Sequence, residues 1–189
     1  SIQSAAIGPF EDGEVHSWGS DGTLLSSKAA SNWSLEQTLG ASSNPSPFID
    51  RVSAVRFSPD GKTVATGGGE VSRTGDILLW DTAHWQLLQT WSDRHEDTVL
   101  SLDFSPDGKW LASGGADKLA KVSDVQTGKT IQTLEAHTHH VMGVAFRADG
   151  RILATSGGDG VVNTWDMQSG ERIKKIIGWT KEVTALQFM

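Results

Sequence analysis

The chain has no cysteine and no tyrosine among its 189 residues, and only 5 prolines. Without cysteine there are no disulfides, no thiolate metal sites and no cysteine nucleophile. The compartment stays open between cytoplasm and cell envelope. No signal peptide opens the sequence, and no apolar run approaches membrane-spanning length, so membrane insertion is not expected. Basic charge is also scarce: 16 Lys and Arg face 23 Asp and Glu, for a formal net charge of −7. That balance argues against a nucleic-acid partner, which would want a basic stripe. Only Arg172-Ile173-Lys174-Lys175 is locally basic, and it reads as a strand edge protected by charge. What is abundant is glycine, at 21, and tryptophan, at 8, within a 37% apolar composition. Such a chain suits a turn-rich all-β protein rather than a disordered one.

Landmarks recur along the sequence. Trp80-Asp81, Ser123-Asp124 and Trp165-Asp166 stand 43 and 42 residues apart. Each pair closes a block opened by Phe57-Ser58-Pro59-Asp60-Gly61, Phe104-Ser105-Pro106-Asp107-Gly108 or Phe146-Arg147-Ala148-Asp149-Gly150. A period of roughly 40–45 residues with four short strands per unit is the signature of a β-propeller blade. A blade cannot bury both faces alone, so neighbours must stack.

The strand grammar is the same in each block. Val52 to Phe57 alternates in burial type, Ser-Pro-Asp-Gly turns the chain, and three further strands follow. The pattern predicts full blades over 52–91, 99–135 and 141–177. Residues 1–40 read as a blade lacking its first strand, with strands at Ile2–Ile7, Glu14–Trp18 and Leu35–Leu39. Val183–Phe188 reads as a lone first strand. The expectation is therefore one all-β segment over 1–189, about four four-stranded blades of a partial propeller, with no helical period competing.

These residues resemble the WD40 repeat family over essentially the whole chain. Ala136-His137, Val141, Leu153-Ala154-Thr155-Ser156-Gly157, Asp159 and Trp165-Asp166 follow the family pattern most closely. His137-Thr138-His139-His140 and the Gly-rich insertion near Glu70 also resemble bacterial members. In the family, a loop His, a second-strand Ser or Thr, a turn Asp and the Trp indole form a hydrogen-bonded set. A complete set of this kind stiffens the blade. The resemblance implies such a set at His137, Thr155, Asp159 and Trp165. A second one falls at His95, Ser113 and Asp117, incomplete because Ser123 stands in the Trp position, so the third blade is expected to be the softer one. In the second block Phe48 holds the His position, and Trp179 holds it before Val183.

Several constellations invite chemistry and fail on inspection. His137, His139 and His140 cluster, but no Asp, Glu or Cys lies at ligand spacing, so no metal is expected. Gly61-Lys62-Thr63 and Gly128-Lys129-Thr130 lack the upstream glycine and the following helix of a phosphate loop. Asp12, Asp117 and Asp159 share one repeat position, the mark of a structural turn. With no acid/base pair or nucleophile motif, neither catalytic residue nor cofactor is expected.

One departure from the repeat remains. The loop from Gly67 to Gly75 carries four residues more than the loop between Thr155 and Trp165 allows. Per-repeat insertions map to loops on one face, often the binding face. By resemblance this loop emerges beside those holding His95, His137 and Trp179. Phe48, Arg51, Arg73, His139, His140 and Trp179 are thus candidates for contact with a protein or peptide partner, although Phe48 and Trp179 also fit as plugs between blades. The leading expectation is a non-catalytic interaction scaffold. A structural module docking onto other domains of a larger protein is the alternative, and a metal-dependent hydrolase a distant one. Three closures stay open: an excerpt of a longer propeller, a self-associated two-chain ring, and a closed four-blade ring.

Overall fold

The computed structural model describes residues 2–7, 15–19, 23–27, 34–38, 46–48 and 50–188. Sixteen strands form four four-stranded antiparallel sheets, and in each the strands neighbour one another in sequence order. Blade 1 comprises β1 (Ile2–Ile7), β2 (Val15–Gly19), β3 (Thr23–Ser27) and β4 (Ser34–Thr38). Blade 2 comprises β5 (Arg51–Phe57), β6 (Thr63–Gly69), β7 (Gly75–Asp81) and β8 (Leu87–His95). Blade 3 comprises β9 (Val99–Phe104), β10 (Trp110–Gly115), β11 (Leu119–Asp124) and β12 (Thr130–Glu135). Blade 4 comprises β13 (Val141–Phe146), β14 (Ile152–Gly157), β15 (Val162–Asp166) and β16 (Arg172–Ile176). The described residues contain no helix.

Two sequence expectations need correcting. The first blade does not lack a strand: Thr23–Ser27 pairs with both β2 and β4. The strand carrying Trp18 is therefore the second of its sheet, and Trp18 is not the counterpart of Trp80 or Trp165. Thr23-Leu24-Leu25 was masked as a strand by the Ser, Gly and Asp residues flanking it, which read as one long loop. Val183–Phe188 is not a strand either. Val183 N–H donates to Gly157 O at 3.1 Å, but among the described residues the segment pairs with no strand in a ladder. The segment nonetheless keeps first-strand phase. Val183, Leu186 and Phe188 are half-buried, in the spacing that buries Val141, Val144 and Phe146. Asp12 lies outside the described residues.

The turns explain the regularity. Gly61, Gly108 and Gly150 take φ of 69°, 71° and 70°, a region where a side chain is strained. Ser58 and Ser105 hydroxyls donate to Asp60 and Asp107 at 2.6 and 2.7 Å, tying each turn from inside. In blade 4 Arg147 replaces that Ser, and its Nε donates to Asp149 at 3.0 Å. This contact, with the Arg151 backbone N–H, lowers the Asp149 carboxyl to about 2.

The core lies between sheets. Ile77, Leu79, Trp91, Val99, Leu102, Phe104 and Leu111 join blades 2 and 3. Leu134, Val141, Val144, Phe146, Leu153 and Trp165 join blades 3 and 4. Val52, Val55, Phe57, Val64, Leu78 and Trp80 form the opposite face of blade 2. First strands also stand side by side, β5 against β1, β9 against β5 and β13 against β9. Polar clamps fix their spacing. Ser53 Oγ donates to Val99 O at 2.6 Å, and Val144 N–H donates to Ser101 Oγ at 3.1 Å. Asp103 accepts from Arg56 Nε at 2.8 Å on one side and from Phe146 N–H at 2.7 Å on the other. One carboxylate thus links three blades.

Candidate functional site

The end of each blade that carries the loops between fourth and first strands, and between second and third, gathers most of the polar side chains singled out above. In blade 4, Trp165 Nε1–H donates to Thr155 Oγ1 at 3.0 Å. His137 Nε2 lies 2.8 Å from the same hydroxyl, and Nδ1 lies 3.0 and 3.1 Å from the two Asp159 oxygens. Asp159 can only accept, so Nδ1 carries the proton and Nε2 accepts. Asn163 Nδ2, 3.1 Å away, then also donates to Nε2. Asp159 accepts further from Thr138 N–H at 2.9 Å and Val161 N–H at 3.2 Å. Burial pushes the Asp159 carboxyl up, but the Thr138, His137 and Val161 hydrogen bonds together outweigh it and hold it below its ordinary value.

Blade 3 reproduces part of this. His95 Nδ1 is 3.0 Å from both Asp117 oxygens, and Nε2 is 2.8 Å from Ser113 Oγ. Glu96 and Leu119 N–H donate to Asp117 at 3.1 Å each. Burial is the largest single influence on its carboxyl and raises it, but the His95, Leu119 and Glu96 hydrogen bonds together outweigh it and leave the carboxyl lowered. No indole reaches Ser113, because Ser123 stands where the Trp would be. The Ser123 hydroxyl is buried without a partner.

Ser113, His95 and Asp117 have the order and spacing of nucleophile, base and orienting acid. Both Ser113 and His95 are only 1% exposed. No substrate carbonyl can reach that hydroxyl in this arrangement.

Blade 2 has neither His nor Asp in these roles. Trp80 Nε1–H donates to Thr66 Oγ1 at 3.0 Å. Phe48 lies against the Trp80 indole, with ring centroids 5.4 Å apart.

The partner candidates fall into two groups and one isolated residue. His139 and His140 rings stand 4.3 Å apart. The His139 ring packs over Gly158, leaving no room for a side chain there, and His140 O accepts from Gly158 N–H at 2.9 Å. Trp179 backs onto Gly160 and leaves half its surface exposed. The Gly158–Gly160 turn, Trp179 and Lys181 line a depression of about 480 Å³. The second group is Phe48, half-buried, and Arg51, exposed and paired with Asp50 at 3.2 Å. Arg73 stands apart on the inserted loop, paired with Glu70 at 2.8 Å.

Two residues that sequence reasoning passed over matter here. Asp76 is a buried carboxylate at a position filled by Leu119 and Val161 in the next two blades. The acid in an otherwise apolar run was a readable signal. Trp91, at the end of the predicted 52–91 blade, packs over Gly128 of the next blade.

The sequence model of WD40, described as WD domain, G-beta repeat, matches residues 38–81, 85–124 and 128–166. The chain belongs to the WD40 family. Each match begins in or near the fourth strand of one blade and ends on the Asp that closes the third strand of the next. The WD40 match is to the family as a whole and does not separate bacterial members from others. No curated protein matches the chain. WD40 repeats generally mediate protein–protein interaction and scaffolding, and the family is typically non-catalytic. Among the described residues no helix is long and apolar enough to cross a membrane.

Proposed function

We propose that this WD40 segment is a non-catalytic scaffold that holds a protein or peptide partner on the loop face of its stacked blades. The observation that carries the reading is the Gly158–Gly160 turn. His139 packs on one side of it and the half-exposed Trp179 on another, beside a depression of about 480 Å³. A large aromatic held half out of the core beside a rigid turn is an interface anchor in type. Asp159 fixes the turn through hydrogen bonds to His137, Thr138 and Val161, so the anchor is presented at little ordering cost.

The test is replacement of Arg73 and Trp179 together by alanine, followed by quantitative comparison of proteins co-purified from the source lysate. Loss of one or more partners is expected, with unchanged thermal stability. An unchanged partner set removes the binding-face reading.

A second reading is favoured by one observation. Val183, Leu186 and Phe188 lie half-buried in first-strand phase beside blade 4. That edge suits docking to further structure of a larger protein, or self-association into a larger ring, and the mass of the chain in solution separates these two.

A further inference from the structure

A small cavity at the loop end of blade 2, lined among the described residues by Phe48, Arg51, Thr66, Gly68 and Asp76, has a volume of about 10 Å³. Strand register identifies what this place is. Thr66 pairs with Val55, as Thr155 pairs with Val144 and Ser113 with Leu102. In blades 3 and 4 the hydroxyl at this position meets an imidazole nitrogen. In blade 2 the corresponding loop residue is Phe48, and its ring lies on Trp80 instead.

Asp76 gives the cavity its chemistry. The residue is 5% exposed. Its Oδ1 accepts from Asp93 N–H at 2.9 Å, while Oδ2 is buried without a partner. A buried carboxylate oxygen is costly unless a donor or a cation meets it. Thr66 Oγ1 accepts from the Trp80 indole and has a second lone pair to offer. The Arg51 cation at the cavity is offset by Asp50.

We propose that this cavity is a subsite for a single ammonium group, the head of a lysine side chain on a peptide or protein partner, with Asp76 Oδ2 as its counter-ion. Asp76 and Thr66, which both carry acceptor oxygens, line the cavity, so the ligand group must be a donor. A volume of about 10 Å³ accommodates one water-sized head. A planar guanidinium is too wide, which selects lysine over arginine. The inference rests on the loop-face reading for the identity of the partner.

The test needs no partner. The Trp80 indole N–H, bonded to Thr66, reports the site by NMR during titration with n-butylammonium chloride. Sodium chloride and tetramethylammonium chloride at equal ionic strength are the comparisons. A saturable shift with n-butylammonium alone is expected. It should weaken by about tenfold or more in Asp76→Asn, because a charged hydrogen-bond partner is lost. That variant keeps the acceptor for Asp93. Phe48→His, which supplies the imidazole found in the other blades, should abolish the shift while the protein stays folded. A response equal to that of sodium chloride overturns the proposal. So does unchanged affinity in folded Asp76→Asn or in Phe48→His, and if the first fails to fold the second decides. Failure here leaves the scaffold reading standing, whereas an unchanged partner set in the Arg73 and Trp179 test leaves the subsite standing.

Discussion

The interface between blades 2 and 3 and the interface between blades 3 and 4 solve one packing problem with the large residue on opposite sides. Between blades 3 and 4 the third strand supplies Trp165 and the preceding fourth strand supplies Leu134. Between blades 2 and 3 the third strand supplies Ser123, and the preceding fourth strand supplies Trp91. Ser123 pairs with Leu111, which shares a cluster with Trp91. Hydrogen bonding follows the exchange. Gln89 and Gln132 each reach the next blade, donating to Val125 O at 3.2 Å and Met167 O at 3.1 Å. Gln89 Oε1 then accepts from Trp91 Nε1 at 2.9 Å, whereas Gln132 Oε1 is buried without a partner beside Leu134. Arg94 covers the Trp91 ring at 5.1 Å and donates to Gly128 O at 2.6 Å. A repeat can thus lose its signature Trp and keep its core, provided the neighbouring blade fills the space.

The strongest way to break this comparison is Trp165→Ala. It removes a buried indole and the donor to Thr155 together. The expected loss is about 3–5 kcal/mol in equilibrium denaturation. A loss below about 1 kcal/mol would mean that blade 4 does not depend on its indole, and the two interfaces would not be alternatives.

A double-mutant cycle tests the exchange directly. Trp91→Leu copies Leu134 and should cost about 2–3 kcal/mol through the cavity it leaves. Ser123→Trp copies Trp165 and should cost about 1–3 kcal/mol by overpacking against Trp91. The double variant should be more stable than the two losses predict, with a favourable coupling of about 1–3 kcal/mol. Additive losses would separate the two residues and leave Ser123 without a compensating partner.

The legible and illegible parts of the sequence divide along the same line. The three full blades could be read because Phe57, Phe104 and Phe146 precede turns whose Asp and Gly have fixed local geometry. Local chemistry repeats, and periodicity exposes it. Thr23–Ser27 was missed because its flanking Ser, Gly and Asp residues resemble a loop until a neighbouring strand pairs with it. The strand phase of Val183, Leu186 and Phe188 was readable, but whether a ladder forms depends on a partner strand. The roles of Trp91 and Asp76 depend on what faces them across a blade boundary, and a repeat compared only with itself does not reveal that. The expectation that blade 3 is the softer one rests on the missing indole alone, without Trp91.

The smallest expected effect sharpens where the two blades differ. Asp117 and Asp159 are held alike, each by an imidazole and two backbone N–H groups. Both carboxyls are depressed below their ordinary value. A depressed carboxyl contributes stability that is present above its unfolded pKa, about 4, and is lost as pH falls through the folded one. Wild-type stability should therefore decline below about pH 4, and Asp117→Asn and Asp159→Asn should each flatten that decline. If the blades differ at the indole alone, the two variants should match within about 0.5 kcal/mol at pH 7 and show the same slope in acid. Denaturant titrations from pH 7 to pH 3 decide this. A much larger loss for Asp159→Asn would show that the Trp165 indole strengthens the carboxylate end of its set through Thr155 and His137. The effect of the missing indole in blade 3 would then extend along the whole hydrogen-bonded chain rather than stopping at Ser113.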